Sequence, residues 1–211
     1  MKTGRHDVGR DYQAPERRLT VDDLEKTPDD GRRYELVDGR LDVSPAPKPL
    51  HSVVDSRLTM HLALKAPDEF PVLTGPGNNL DGDRTHHRIP DPAVFDCELP
   101  PQGYFDVPPA LAVEIVSPES VLRDNHTKRH EYAAFGIPSY WIINPLADKV
   151  GLIELRLEDG CCQEVVQVHG EDVFETDLPF PVKLVPHWLV ASGPWKRRIG
   201  GEPEEAQAVQ R

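Results

Sequence analysis

The sequence predicts a mixed α/β fold, a central sheet of mixed strand direction flanked by helices. Three observations predict it. Asp38-Gly39 stands between two short β-like runs, which is the pattern of a two-residue hairpin. Val54, Leu58, Leu62 and Ala66 recur at helical spacing. An almost continuous apolar run, Ala110-Leu-Ala-Val-Glu-Ile-Val116, is followed by a helical stretch and then by Ser139-Tyr-Trp-Ile-Ile143. That last order is a strand–helix–strand unit with strands covered on both faces.

The elements follow in chain order. Residues 1–18 are polar throughout and read as a disordered N-terminal arm. Thr20-Val-Asp-Asp reads as a capped short helix with acids in its first turn. Arg33–Val37 and Arg40–Ser44 form the hairpin strands, and Pro45-Ala-Pro-Lys-Pro49 ends the second of them. Leu50 to about Lys65 is a helix. Val72-Leu-Thr is a strand, and Gly75 to Arg88 reads as a loop. Ile89–Phe95 reads as a strand whose start is made irregular by Pro90 and Pro92. Leu122–Phe135 reads as a helix closed by Gly136, with Pro138 just beyond. Gly151–Leu157 and Cys161–His169 pair across Glu158-Asp-Gly160. With no internal repeat, residues 19–190 form a single domain, and 191–211 read as a flexible C-terminal tail.

Totals narrow the function classes. The chain has 211 residues, 38% of them hydrophobic, enough for one domain with a real core. It holds no run of about 18 apolar residues, so no membrane span is expected, and the N-terminus lacks the apolar stretch of a secretory signal. A cytoplasmic protein is the expectation. Cys97, Cys161 and Cys162 make an odd count without a CxxC pair, which suits reduced structural or surface cysteines better than a disulfide framework or a zinc site. The formal net charge of −12 weighs against a broad nucleic-acid footprint. His86-His87 lies among Asp81, Asp83 and Arg88 and reads as a solvated loop, while His51 follows a proline-rich loop and either caps its helix or lines a cleft. His126 and His130 fall off the face that carries Lys128. Neither a P-loop nor a nucleophile elbow is present.

Glu114 sits in the middle of the apolar run. Burying a lone carboxylate costs several kcal/mol even after relaxation, so a strand of this kind carries one only where an arginine, a shared proton or a metal cation neutralises it. Asp91 begins the preceding strand between two prolines. If the two strands are neighbours, the carboxylates converge, and their repulsion at about 4 Å is strong at low dielectric. A hard divalent ion, Mg2+ or Mn2+, relieves it; a buried ion pair and a turn aspartate are the alternatives. On the following helix Asp124, Lys128 and Tyr132 share one face. That arrangement is also what an ordinary surface ion pair would show, except that this helix packs back over the Glu114 strand.

These residues carry a resemblance. Pro90-Asp91, then Pro108-Pro109-Ala-Leu-Ala-Val-Glu114-Ile-Val-Ser117-Pro118, then Asp124, Lys128, Tyr132 and Gly136-Ile-Pro-Ser-Tyr-Trp141 resemble the Uma-two family of endonuclease-like proteins in the PD-(D/E)XK superfamily. Arg33-Tyr-Glu35-Leu-Val-Asp-Gly39, followed by Ser44-Pro45 and His51, resembles the family's N-terminal signature. The likeness runs from about Leu19 to Leu189. It implies a restriction-endonuclease-like core, a metal held by Asp91 and Glu114, and DNA as substrate. The superfamily's usual lysine position, two residues after the glutamate, is Val116 here; the family reading places that lysine on the next helix, at Lys128. Glu35 matches the N-terminal acidic position, as an outer ligand or a residue that orients water. Asn144 stands where the family often has aspartate, a difference expected to affect a loop. The resemblance therefore implies a Mg2+- or Mn2+-dependent endonuclease. The alternatives are a non-catalytic nuclease-fold module for DNA or protein binding, and a glycosidase using paired carboxylates, the latter disfavoured by the lysine and by an aromatic content of 7%. By analogy with the fold, a homodimer is expected.

Overall fold

Short helix α1 (Val21–Leu24) is held by a reciprocal capping box between Thr20 and Asp23, and it buries Val21 and Leu24 against Leu36. Leu36 lies on β1 (Arg33–Val37), which turns into β2 (Arg40–Ser44). The two residues between them, Asp38 and Gly39, have φ of 51° and 76°, the left-handed pair that a type I′ hairpin needs. These are the first elements of a computed structural model that describes residues 17–118, 120–146 and 148–202. The expected N-terminal arm therefore lies almost wholly outside the described residues.

Helix α2 (Pro49–Lys65) starts with proline at its first position, where no N–H is required. Strand β3 (Val72–Thr74) follows. The segment expected as a loop instead carries two short strands, β4 (Asn78–Asn79) and β5 (His87–Arg88). They extend the first hairpin into a four-stranded sheet in the order β2-β1-β5-β4. His87 and Arg88 are buried in it, so the solvated-loop expectation for His87 is corrected; polar composition misled it because both side chains find partners inside the fold, His87 on Asn79 and Arg88 on Glu35, Asp42 and Glu131.

The main sheet is built from β3, β6 (Pro92–Val94), β7 (Leu111–Ile115), β8 (Ser139–Asn144), β9 (Gly151–Glu158) and β10 (Cys161–His169). Its order is β10-β9-β8-β7-β6-β3. Only β7 and β8 run parallel, because a helical crossover joins them: a π-helical turn, Arg123–Thr127, that runs into α3 (Lys128–Phe135). The strand period of two then sorts β7 between the faces. Leu111, Val113 and Ile115 pack with Val54, Leu58 and Leu62 of α2, while Ala112 packs with Tyr132 and Ala133 of α3. Glu114 belongs to the α3 face. The sheet is therefore flanked by helices on both sides, as expected.

Beyond the β9–β10 hairpin come β11 (Phe174–Thr176), β12 (Val182–Leu184), α4 (His187–Val190) and α5 (Trp195–Arg198). Ile199 is buried in the main core, and its carbonyl accepts from the Val185 N–H at 2.8 Å. The part of the expected tail between 191 and 201 is thus packed onto the domain; residues 203–211 lie outside the described residues. Among the described residues no helix is long and apolar enough to cross a membrane. All three cysteines are free thiols.

Candidate active site

Asp91 and Glu114 meet through strand register. Ala93 stands opposite Ala112 and Val94 opposite Leu111; continuing that ladder outward sets Asp91 across from Glu114. The backbone there departs from a regular ladder, as the flanking prolines require. Asp91 N donates to Val113 O at 2.9 Å, and Asp91 Oδ2 accepts from Ile115 N at 2.7 Å. The aspartate side chain thereby accepts a β7 backbone N–H in place of a carbonyl of its own strand.

Glu114 meets the helix that follows it. Lys128 Nζ donates to Glu114 Oε1 at 2.7 Å and the Tyr132 hydroxyl donates to the same oxygen at 2.6 Å. Lys128 Nζ also lies 3.6 Å from Glu35 Oε1 and 3.8 Å from Asp124 Oδ1. The expected face of Asp124, Lys128 and Tyr132 turns inward, each residue being about 1% exposed. It does so through the π-helical turn, where the Lys128 N–H reaches back to Arg123 O. Such single wide turns recur at functional sites. Val116, at the superfamily's usual lysine position, is buried. Asn144 caps a loop, its Oδ1 accepting from Leu146 N at 3.0 Å.

Two arginine partners were missed in the sequence, while His51, read there as capping its helix or lining a cleft, does line one. Arg33 Nη2 donates to Asp91 Oδ1 at 2.8 Å and Arg33 Nη1 donates to Ile89 O at 3.1 Å. His51 Nε2 lies 3.1 Å from Asp91 Oδ2. Arg33 was findable, since strand alternation puts it on the same face as Glu35. Arg88 carried no signal at all. It donates to Glu131 at 2.7 Å through both Nε and Nη2, and to Glu35 and Asp42 at 3.1 Å through Nη1. Glu35 is engaged at both oxygens, since Ile89 N donates to its Oε1 at 2.7 Å. Of the residues selected from the sequence, Glu114, Lys128 and Glu35 are thus in direct or near contact, and Asp91 is tied to them through the β7 backbone.

Electrostatics divide the two carboxylates. Burial pushes Asp91 up, but the His51 hydrogen bond and the charges of Arg33 and His51 outweigh it and hold the group at about 2. Burial raises Glu114 to about 7, with Asp124, Asp91 and Glu35 adding to the effect and Lys128 opposing it. Burial lowers Lys128, yet Glu114, Glu35 and Asp124 together bring it above its ordinary value. Asp124 Oδ1 is buried with no hydrogen-bond partner. Carboxylate oxygens are hard donors of the kind a divalent cation takes. Among the described residues no three His, Cys, Asp or Glu side chains cluster to hold an ion alone. Any ion held here would take one or two carboxylates and keep several waters as its other ligands.

Beside Glu114 opens a cleft of about 340 Å³, lined in part by Arg33 and His51, the partners of Asp91, and by Arg123 and Asp124. A larger hollow of about 500 Å³, between Lys65, Lys183 and Glu202, borders none of them.

Comparison with known proteins bears on this arrangement. The family model Uma2, described as "Putative restriction endonuclease", matches residues 21–201. Among solved structures the chain is similar to "a putative nuclease belonging to DUF820 from Anabaena variabilis ATCC 29413", with a TM-score of 0.60 and 20% identity over 75% of this chain and 89% of that one. At that identity the likeness shows the fold. No curated protein matches.

Proposed function

The chain belongs to the Uma2 family of restriction-endonuclease-like proteins, and on that premise we propose that it is a metal-dependent endonuclease that hydrolyses phosphodiester bonds of DNA. In this reading Asp91 and Glu114 hold Mg2+ or Mn2+ and Lys128 assists the attacking water. The observation that carries it is the meeting across β6 and β7 of Asp91, bound to the Ile115 N–H, with a buried glutamate–lysine pair whose Glu114 lines a cleft.

When bound, the ion would polarise a phosphoryl oxygen and lower the pKa of a water. The protein's own residues supply positioning and charge. Arg33 and His51 fix both oxygens of Asp91 and keep it ionised. Tyr132 holds Glu114 from the helix side. Lys128 stays protonated between Glu114, Glu35 and Asp124, ready to stabilise negative charge developing on the phosphate. Because these groups are buried, their charges act at low dielectric.

One observation favours a second reading, a non-catalytic nuclease-fold module. Arg33 and His51 already neutralise Asp91, and Lys128 already neutralises Glu114. Incubation of the protein with DNA and Mg2+ separates the two. Cleavage is expected, reduced about a hundredfold or more in Asp91→Asn and Glu114→Gln, the scale on which one preorganised charge-stabilising group acts. Cleavage unchanged in both variants would overturn the assignment, and DNA binding without cleavage by the unaltered chain would favour the module.

A further inference from the structure

The cleft beside Glu114 is mostly apolar. Pro45, Pro47 and Leu50 line it from the β2–α2 connection, and Val116, Pro118 and Leu146 line it from the segments after β7 and β8. Of the acids, Glu114 and Asp124 line it and are only 3% and 1% exposed, with Lys128 behind Glu114 at 2.7 Å. Proteins that read the bases of a duplex do so with elements that enter its grooves. Here the charged groups are recessed instead, beside a hollow of about 340 Å³. A strand free to splay its backbone can bring a phosphate down to such a group.

Charge points the same way. Arg33, Lys48 and Arg123 line the cleft, but Arg33 carries Asp91 and Arg123 carries Asp42 and Ser44. The chain as a whole is at −12. A duplex binder that neutralises many phosphates needs a basic footprint. Proline and leucine walls suit the faces of unpaired bases, which stack without sequence preference.

A second hollow, about 480 Å³, adjoins the first, sharing Arg33 and Pro47 with it. Arg32, Tyr34, His87 and Tyr104 line it. The Arg32 guanidinium, paired at its edge with Asp30 at 2.7 Å, lies 5.4 Å from the Tyr34 ring centre. Tyr104 packs edge-on against His87 at 4.5 Å, and His87 Nε2 is buried without a hydrogen-bond partner. Its volume falls within the roughly 300–1,000 Å³ range of small-molecule sites. Aromatic rings beside a guanidinium are the makings of a base-stacking platform.

We propose that this chain acts on single-stranded DNA, with a phosphate of the strand over Asp91 and Glu114 and a neighbouring base on the Tyr34–Tyr104 platform across Arg33. The proposal rests on the nuclease reading and names its substrate class. Fluorescence anisotropy of the full chain tests it, using a labelled 12-mer single strand and the matching duplex, with Ca2+ in place of Mg2+ and at several salt concentrations. The single strand is expected to bind at least about tenfold more tightly than the duplex. At about −0.7 per phosphate neutralised, its log-affinity against log-salt slope should fall between about −1 and −3. Tyr104→Ala should weaken single-strand binding about tenfold. The exposed Arg32→Ala, which leaves the packing of Tyr104 intact, should weaken it severalfold with an unchanged melting temperature. A duplex bound as tightly as the single strand, or binding unaffected by both variants, overturns the proposal and leaves the nuclease reading standing. Binding of neither oligonucleotide overturns both.

Discussion

At the residue scale, Lys128 decides how much buried negative charge the site can hold. Its ammonium is 1% exposed and stands within 4 Å of Glu114, Glu35 and Asp124. A Lys128→Met variant keeps much of the bulk and removes the charge, leaving buried carboxylates without their shared cation. Breaking a buried pair in this way costs about 3–5 kcal/mol, so chemical denaturation should show a loss of that size; a loss below about 1 kcal/mol would mean the lysine is not the cluster's principal cation. Glu114 was the most legible residue in the sequence, because a carboxylate in an apolar strand demands a partner. Lys128 could be placed only by helix periodicity together with a family likeness. Arg88, equally buried, was illegible, since nothing local distinguishes an arginine at a strand end from one in solvent.

At the scale of elements, the strand–helix–strand unit and the first hairpin were readable because period and turn chemistry are local signals. The segment from Gly75 to Arg88 was not. Strands β4 and β5 are two residues each, too short for any periodicity, and they exist because His87 pairs with Asn79 at 2.9 Å and Arg88 with the acids of β1, β2 and α3. The π-helical turn was likewise invisible, since its extra residue leaves the apolar pattern of α3 intact. The small sheet carries a pH dependence. Burial depresses His87 to about 4, whereas an unfolded histidine takes its proton near 6.5. Between those values the unfolded chain binds more protons than the folded one, so stability is full above pH 6.5 and falls as the pH drops toward 4. This histidine accounts for about 2–3 kcal/mol of that loss. Denaturation across the window should show the slope, and His87→Gln should flatten it; an unchanged slope would remove His87 as its source.

For the molecule as a whole, fold class and family were legible from end to end, whereas the C-terminal region was not. Polar composition suggested fraying beyond residue 190, yet Trp195 stacks on the Arg57 guanidinium at 4.7 Å and Ile199 enters the main core. A few apolar anchors in a polar segment suffice to dock it, and composition averages them away. The net charge of −12, puzzling for a protein expected to meet DNA, becomes intelligible if the substrate reaches a recessed site between apolar walls and few phosphates are gripped. The central claim is that Asp91 and Glu114 form one divalent-metal site. Thermal or chemical unfolding during a Mg2+ titration tests it most directly, because a ligand of the folded state stabilises by RT ln(1 + [L]/Kd), about 2.7 kcal/mol at a hundred times Kd. The expected result is a concentration-dependent gain in the unaltered chain that disappears in both Asp91→Asn and Glu114→Gln; no gain with Mg2+ or Mn2+, or a gain that survives in both variants, would contradict the claim.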